Sequence, residues 1–292
     1  MVAVIAVFGP TASGKTAVAE VIADRLGTGV VSCDALQVYR GLPILTNQPG
    51  HATALVGIRA VNEEMSVGAY AGLAHAAIDN LIARNGAAVV SGGTGLYLRA
   101  ALADLAVPPP PTAGVRERVR AEVERDATAA HRRLSDIDPR AAEAVHANDY
   151  RRLIRALELA DEGSSLVPAN ERLWARATRH PTLIAGLDVP ADELERRIVC
   201  RTAAMFEQGV VNEVRAALSK GVSPTAAKAL GLDEIAAMSE SDARERIVVR
   251  TRRYAAYQRK WMRRIPGLVS VDGTLSSEEV ADAILEVARA RQ

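Results

Sequence analysis

The fold of this chain is decided by one stretch, Gly9-Pro10-Thr11-Ala12-Ser13-Gly14-Lys15-Thr16, which fits the phosphate-binding pattern G-x-x-x-x-G-K-[ST]. Residues 2–8 before it form a short apolar run, which predicts a buried strand. Residues 17–26 after it place apolar side chains at helical spacing. Together they predict an α/β fold, a P-loop NTPase-like parallel sheet flanked by helices, with a small helical insert domain.

The chemistry of this loop favours a phosphate ligand. Gly9 and Gly14 let the backbone curl with its N–H groups pointing inward, and the helix N-terminus adds positive potential. Lys15 supplies a mobile charge, and the Thr16 hydroxyl is placed to bind Mg²⁺. We therefore predict that the octapeptide binds a nucleotide or another pyrophosphate, with Thr16 as a metal ligand. The alternative is a plain glycine-rich turn.

Composition excludes the disulfide-rich secreted class and the membrane-spanning class. The chain has 292 residues, of which 49% are hydrophobic and 3% aromatic, and its net charge is +1. Its two cysteines, Cys33 and Cys200, are too far apart to form a disulfide framework. There is no signal-like segment and no apolar run of membrane-spanning length. We therefore expect a cytoplasmic protein.

Two further predicted strands end in polar residues. Residues 29–32 lead directly into Asp34, and residues 87–90 lead into Gly-Gly-Thr-Gly at 92–95. Because the carboxyl ends of parallel strands face the ligand crevice, we expect Asp34 to act as a general base or to reach Mg²⁺ through water, and Thr94 to contact a substrate. The alternatives are a helix N-cap at Asp34 and a tight turn at Thr94.

A proline-rich stretch at residues 107–111 marks the clearest domain boundary, because consecutive prolines are stiff and extended. The residues after it are charged and helical in pattern. We predict a core domain of residues 1–110 and 181–292, and a helical insert domain of residues 111–180.

Within the insert, one helix is predicted over residues 115–134 and another begins at Asp138, which precedes a proline. A third predicted helix carries Arg151, Arg152 and Arg155 on an expected exposed side. The alternative is an ordinary solvated helix face.

After the insert, residues 182–187 predict a strand and residues 192–218 a single helix. Arg197 and Arg201 lie one turn apart on that helix. They are expected to bind a diphosphate or to pair with nearby glutamates. Gly209 is either a packing site or a break in the helix.

Residues 244–264 carry the most informative charge pattern. They contain nine basic residues and one acid, a net of +8, so the remainder of the chain carries −7. On a helix, several of these cations, including Arg253 and Lys260, share one face, which is typical of a polyanion-binding surface. Tyr257 and Trp261 could stack on a base, or they could belong to the core.

Five stretches resemble motifs of the tRNA dimethylallyltransferase (tRNA isopentenyltransferase, IPP transferase) family. They lie in family order over nearly the whole chain, so the combination is specific although many families share the phosphate loop. The stretches are Gly-Pro-Thr-Ala-Ser-Gly-Lys-Thr at 9–16, Asp-x-x-Gln-Val-Tyr within 32–41, Gly-Gly-Thr-Gly-Leu-Tyr at 92–97, Asn-Asp-x-x-Arg-Leu-Ile-Arg-Ala-Leu-Glu at 148–158, and Thr-Arg-x-Tyr-Ala-x-x-Gln-x-x-Trp-x-Arg at 251–263.

The resemblance implies transfer of a dimethylallyl group from dimethylallyl diphosphate to the exocyclic amine of the adenosine beside the tRNA anticodon. The base would be flipped into the site, and the protein would act as a monomer with Mg²⁺ as cofactor. The loop would bind the leaving diphosphate rather than ATP, together with Arg197 and Arg201. Asp34 would accept the amine proton, and Thr11 and Lys15 would complete the catalytic group. The implied tRNA contacts are Asp34, Ala35, Leu36, Gln37, Thr94, Arg116, Arg151, Arg152, Arg155, Arg253, Gln258 and Lys260.

The chain also departs from the family pattern. The family usually has Gly-Thr-Ala-Lys-Pro where residues 45–49 read Leu-Thr-Asn-Gln-Pro, so a lysine is replaced by Gln48. The usual Lys-Arg-Gln reads Ala256-Tyr257-Gln258. Residues 56–61 and 230–233 also differ from the family motifs.

Three other functions fit parts of the pattern. A prenyltransferase acting on free adenosine phosphates would not need the basic residues 244–264. A small-molecule kinase would need an arginine-rich lid, for which residues 111–180 could be mistaken. A nucleic-acid-binding protein with a non-catalytic loop would not need Lys15, Thr16 and Asp34 intact.

Overall fold

The computed structural model describes residues 2–105, 107–108, 110–167 and 173–291. The chain divides into two compact units, a core unit of Met1–Asp104 with Arg176–Gln292 and a helical unit of Leu105–Ala175. These bounds lie five or six residues before those expected from the sequence. Pro109, in the middle of the proline-rich boundary, lies outside the described residues.

The core unit contains a six-stranded parallel sheet, as the α/β prediction requires. Its strands are β1 Val4–Phe8, β2 Val30–Ser32, β4 Thr53–Ala54, β6 Ala88–Gly92, β7 Thr182–Asp188 and β8 Val269–Asp272, with β3 Tyr39–Arg40 and β5 Arg59–Ala60 forming a separate pair. The order in the large sheet is β4-β2-β6-β1-β7-β8. The five residues of β1 are all buried, because helices cover a parallel sheet on both faces.

The register of the strands brings three loops to one edge of the sheet. Phe8 at the end of β1 lies beside Gly92 at the end of β6, and Ser32 at the end of β2 lies beside Ser91. The segments that follow β2, β6 and β1 therefore leave the sheet side by side. They are the segments that carry Asp34, Thr94 and the phosphate loop.

Twelve α-helices and a short 3-10 helix (Ala226–Lys228) surround or follow these strands in the described chain. In the core unit they are α1 Lys15–Leu26, α2 Val67–Asn85, α3 Gly95–Leu102, α8 Ala191–Glu207, α9 Val210–Ser219, α10 Leu232–Ala237, α11 Glu240–Arg264 and α12 Ser277–Ala290. In the helical unit they are α4 Val115–Arg125, α5 Ala127–Ile137, α6 Pro139–Ala144 and α7 Tyr150–Asp161.

Two of the helices predicted as single elements are each broken in two. Residues 115–134 form α4 and α5 because Asp126 leaves the helical conformation, and its carboxylate accepts a bond from the Ala129 amide to begin the second helix. Residues 192–218 form α8 and α9 because Gly209 has φ +90°, a left-handed conformation that glycine adopts without steric cost. The helix beginning at Asp138 is confirmed, with proline in its first turn.

The phosphate loop is anchored by packing on both of its sides. Val7 of β1 and Ile22 of α1 are fully buried in one apolar cluster, together with Leu183 of β7 and Ile284 of α12. Fully burying an aliphatic side chain contributes about 1.5–3 kcal/mol, so the strand and the helix hold the loop between them rigidly.

The helical unit has an apolar core of its own, centred on Val119, Leu134, Leu153 and Leu157. None of the helices in the described part of the chain is both long and apolar enough to cross a membrane.

Candidate active site

The phosphate loop carries several hydrogen-bond donors without partners at the N-terminus of α1. Ala12 and Gly14 have φ +65° and +88°, which turns successive amide groups inward. Within the described residues, the amides of Ala12, Gly14, Lys15 and Thr16 have no hydrogen-bond partner. The Ser13 hydroxyl is buried and also without a partner. An anion at the N-terminus of α1 would satisfy these donors.

Two half-buried cations and one half-buried carboxylate lie at this loop. Burial lowers the pKa of Lys15, the Asp34 carboxylate opposes that effect, and Arg201 on α8 adds to it. Burial also lowers the pKa of Arg201, whose Nε atom is buried without a hydrogen-bond partner. Arginine nevertheless keeps its charge at neutral pH, so the cluster has an excess of positive charge that a multiply charged anion would neutralise.

Asp34 does not begin a helix, so the N-cap alternative is wrong. Its Oδ1 accepts a bond from the Leu36 amide at 2.9 Å, which is an Asx turn. The Asp34 amide in turn donates to the Ser32 hydroxyl at 3.3 Å. No hydrogen bond from the described residues reaches Oδ2, which can therefore accept a proton from a ligand.

Thr94 holds the loop that carries Asp34. Its Oγ1 accepts a bond from the Ala35 amide at 3.2 Å, and its hydroxyl lies close to the Tyr254 hydroxyl of α11. Burial raises the pKa of Tyr254, so its hydroxyl stays protonated and can donate. The local sequence pattern gave no indication of this contact.

Gln258 requires a correction, because it was predicted to contact tRNA and is only 2% exposed. Its Oε1 accepts a bond from the Thr11 amide at 2.7 Å, and its Nε2 donates to the Gly93 carbonyl at 2.9 Å. The side chain therefore ties the phosphate loop to the Gly-Gly-Thr-Gly loop. The bond also engages the Thr11 amide, which is no longer available to a phosphate.

Two glycines of the Gly-Gly-Thr-Gly segment are required by this packing against α11. A Cβ atom on Gly93 would lie 2.1 Å from Nε2 of Gln258, and one on Gly95 would lie 2.2 Å from the ring of Trp261. The glycines of this motif therefore pack directly against the Gln-x-x-Trp residues of α11.

One pocket adjoins the phosphate loop, and a second lies beside Arg201. The first has an empty volume of about 310 Å³ and is lined by Lys15, Thr16, Ser32, Gln37 and Ser91 among others. The second has about 550 Å³ and is lined by Arg201, Met205 and part of the segment 43–48.

The segment at residues 42–49 borders both pockets and is held by side-chain amides and a carboxylate. Nε2 of Gln37 donates to the Asn47 carbonyl at 2.8 Å, and Nε2 of Gln48 donates to the Tyr39 carbonyl at 2.8 Å. Gln48 therefore has a structural role where the family has a lysine, and Arg201 supplies a positive charge in the second pocket. Glu213 of α9, which the sequence analysis missed, accepts the Ile44 and Leu45 amides at 2.9 and 2.8 Å.

Three of the predicted arginines are engaged by carboxylates. Arg197 pairs with Glu193 at 2.7 Å, which is the alternative left open by the sequence, so its assignment to a diphosphate is corrected. In the helical unit, Arg116 and Arg155 share Glu158 at 2.9 and 3.0 Å. Because one carboxylate serves both guanidinium groups, this trio keeps a net positive charge.

On α7, Arg151 and Arg152 are exposed as predicted, whereas Arg155 turns inward toward Glu158. Neither Arg151 nor Arg152 has an acidic partner within the described residues, so the exposed cations of this helix are these two.

Helix α11 begins four residues before the predicted basic stretch, and part of its charge is neutralised. Among the nine cations, ion pairs engage Arg244, Arg250, Arg252 and Arg259. The side chains of Arg246, Arg253, Lys260, Arg263 and Arg264 are exposed. The surface that can meet a polyanion is therefore smaller than the sequence suggested.

Comparison with known proteins points to one family. The family model described as IPP transferase matches residues 37–265, and one described as isopentenyl transferase matches residues 2–62. The tRNA dimethylallyltransferase of Anaeromyxobacter dehalogenans is 37% identical over 290 residues, which cover 95% of this chain and 97% of that relative. The enzyme of the same name from Streptomyces coelicolor is 38% identical and covers 90% of this chain and 88% of that relative.

Solved structures agree with these relatives. The tRNA isopentenylpyrophosphate transferase of Bacillus halodurans is 28% identical with a TM-score of 0.70, covering 99% of this chain and 96% of that one. A eukaryotic dimethylallyltransferase acting on tRNA has a TM-score of 0.81 at 23% identity, covering 100% of this chain and 80% of that one, and it supports the fold alone. On the family model and the sequence identity to curated relatives, this chain belongs to the IPP transferase family, the family of the tRNA dimethylallyltransferases.

Proposed function

We propose that the protein transfers a dimethylallyl group from dimethylallyl diphosphate to the exocyclic amine of the adenosine next to the anticodon of a tRNA. The observation that carries this proposal is the half-buried cluster of Lys15, Arg201 and Asp34 at the phosphate loop. Two partly desolvated cations and a row of free amides suit a diphosphate leaving group. The single carboxylate beside them suits a proton acceptor.

In the proposed reaction, the adenosine amine attacks C1 of the allyl group as the C1–O bond breaks, and the diphosphate leaves with the bonding electrons. Lys15, Arg201 and the loop amides stabilise the charge that develops on the diphosphate. Oδ2 of Asp34 accepts the proton from the amine nitrogen. The Asx turn at Asp34 and the bond from Ala35 to Thr94 keep the carboxylate oriented for this step.

Mg²⁺ is the cofactor that we propose for this site. No group of three His, Cys, Asp or Glu side chains among the described residues could enclose a metal ion. Mg²⁺ in phosphate sites is commonly held by one or two protein oxygens, phosphate oxygens and water, and Thr16 in the first pocket fits that pattern. When bound there, the ion would neutralise charge on the diphosphate oxygens.

We predict tRNA contacts in each of the two units. In the core unit we assign them to Gln37 and its neighbours Ala35 and Leu36, and to the exposed Arg253 and Lys260. In the helical unit we assign them to Arg116, Arg151, Arg152 and Arg155. We also propose that the protein acts as a monomer. The relatives named above are tRNA enzymes, which favours tRNA over a free adenosine phosphate as acceptor and a prenyl transfer over kinase activity.

The test is incubation of the purified protein with Mg²⁺, dimethylallyl diphosphate and unmodified tRNA, followed by mass analysis of the nucleosides. Reactions with AMP as the acceptor, and with ATP in place of the allylic donor, run in parallel. We expect Asp34→Asn to reduce transfer about 10²–10⁴-fold, the usual contribution of a general base, with tRNA affinity nearly unchanged. Asp24→Asn, at an exposed position of α1, is the matched control and should retain activity. Modification of AMP but not tRNA would contradict the proposal.

A further inference from the structure

An exposed aromatic ring, that of Tyr257, lies beside the candidate active site and is not used by the mechanism above. Tyr257 is 54% exposed, and its ring stacks on Tyr254 with centroids 6.5 Å apart and planes 24° apart. The Tyr254 hydroxyl lies close to that of Thr94, which holds the Ala35 amide next to Asp34. Tyr257 is therefore the outer ring of a stack whose inner ring contacts the loop of the proposed general base.

Two exposed cations flank this ring on the same helix. Arg253 lies four residues before Tyr257 and Lys260 lies three residues after it, so the three side chains share a face of α11. Neither cation has an acidic partner within the described residues. An exposed aromatic face between cations is the arrangement by which proteins bind single-stranded nucleic acid, since the ring stacks on a base and the cations meet the phosphates.

Extraction of a target adenosine from a loop leaves its neighbouring base without a stacking partner, and an exposed ring beside the site can restore that contact.

We propose that Tyr257 forms a base-stacking subsite for an unpaired base adjacent to the target adenosine, with Arg253 and Lys260 holding the phosphates on either side. This inference rests on the proposed function for its RNA substrate. It assigns to this chain a determinant of acceptor recognition at the nucleotide beside the reacting one.

The experiment titrates the full-length protein into a synthetic anticodon stem-loop RNA that carries 2-aminopurine beside the target adenosine. Stacking on Tyr257 should quench the fluorescence of that base. We expect Tyr257→Ala to abolish the quenching and weaken binding about 5- to 150-fold, while Tyr257→Phe keeps both. Melting curves of all variants establish that they remain folded.

Salt dependence separates stacking from charge. Tyr257→Ala should leave the slope of log affinity against log salt unchanged, because no phosphate contact is lost. Arg253→Ala should reduce the slope by about 0.7, and Tyr257→Arg should increase it by about the same amount.

Unchanged affinity and quenching in Tyr257→Ala would overturn the inference, as would an effect of that variant on self-association rather than on RNA binding. Prenyl transfer by the wild-type protein is measured alongside. Transfer to tRNA without any Tyr257 effect refutes the stacking subsite alone. A Tyr257 effect on RNA binding without transfer by the wild type refutes the proposed reaction alone.

Discussion

Replacement of Gln258 by alanine should destabilise the core unit and loosen the phosphate loop. The buried amide of Gln258 bonds to the Thr11 amide at 2.7 Å and to the Gly93 carbonyl at 2.9 Å, and it also contacts Tyr254. A buried polar group that loses its partner costs about 1–3 kcal/mol, so two of them cost about 2–6 kcal/mol. That is a large fraction of the roughly 5–15 kcal/mol that stabilises a typical domain.

Urea denaturation of the full chain measures this change in the free energy of unfolding. Isothermal titration calorimetry with inorganic pyrophosphate measures the anion affinity of the phosphate loop. If binding must restore about 1.4 kcal/mol of lost loop order, we expect the affinity to fall at least about tenfold. Gln258→Glu sharpens the test, because its carboxylate can accept from Thr11 but places an oxygen against the Gly93 carbonyl. Its destabilisation should diminish as pH falls and the carboxyl group gains a proton to donate.

Arg253→Ala is the control for these measurements, since Arg253 is exposed on the same helix and should change stability by less than about 0.5 kcal/mol. A Gln258→Ala protein as stable as that control, with unaltered pyrophosphate affinity, would refute the account of α11 as the element that ties the two loops together.

Two other substitutions test contacts away from the reacting atoms. Glu213→Gln weakens the anchoring of the Ile44 and Leu45 amides, because a hydrogen bond to a charged group contributes about 1.5–3 kcal/mol. We expect this substitution to lower kcat/KM for prenyl transfer about tenfold or more. Glu207→Gln, at an exposed position, is the control and should leave kcat/KM unchanged. Hydrogen bonds from Arg179 are the chief cause that lowers the pKa of Asp79 below its ordinary value of 3.8. The ionised Asp79 therefore stabilises the folded state at pH values above 3.8, and this stabilisation is lost as pH falls through the lower pKa of the folded state. Because the pair is substantially exposed, Asp79→Asn should cost only about 0.2–1 kcal/mol at neutral pH, and the difference from wild type in urea denaturation should shrink in acid; a difference independent of pH would contradict this assignment.

Local sequence was sufficient to predict the strand, loop and helix at residues 4–26 and the α/β class. These features depend on glycine, lysine and threonine at fixed spacing and on apolar periodicity, which are properties of neighbouring residues. The start of the helix after Asp138 was equally local. The N-cap of α2 is local in the same sense, because the Ser66 hydroxyl accepts from the Ala69 amide, three residues on, at 3.1 Å.

Helix continuity was not determined by periodicity. The pattern of apolar residues continues through Asp126 and Gly209, so it gave no sign of a break at Asp126 and left a break at Gly209 as one of two alternatives. The breaks depend on a side-chain cap at Asp126 and on a left-handed residue at Gly209, and neither interrupts the spacing of core side chains.

By itself, the sequence determined which residues carry charge and which loops follow strands, and hence that a phosphate loop, an acid and a basic helix are present. Only the tertiary structure decided which of these groups meet. The order of β2, β6 and β1 sets Asp34 beside the loop, and α8 brings Arg201 to it while Arg197 remains paired with Glu193. The burial of Gln258 likewise required α11 to pack against glycines far away in the chain, because burial depends on contacts between distant segments and not on local spacing.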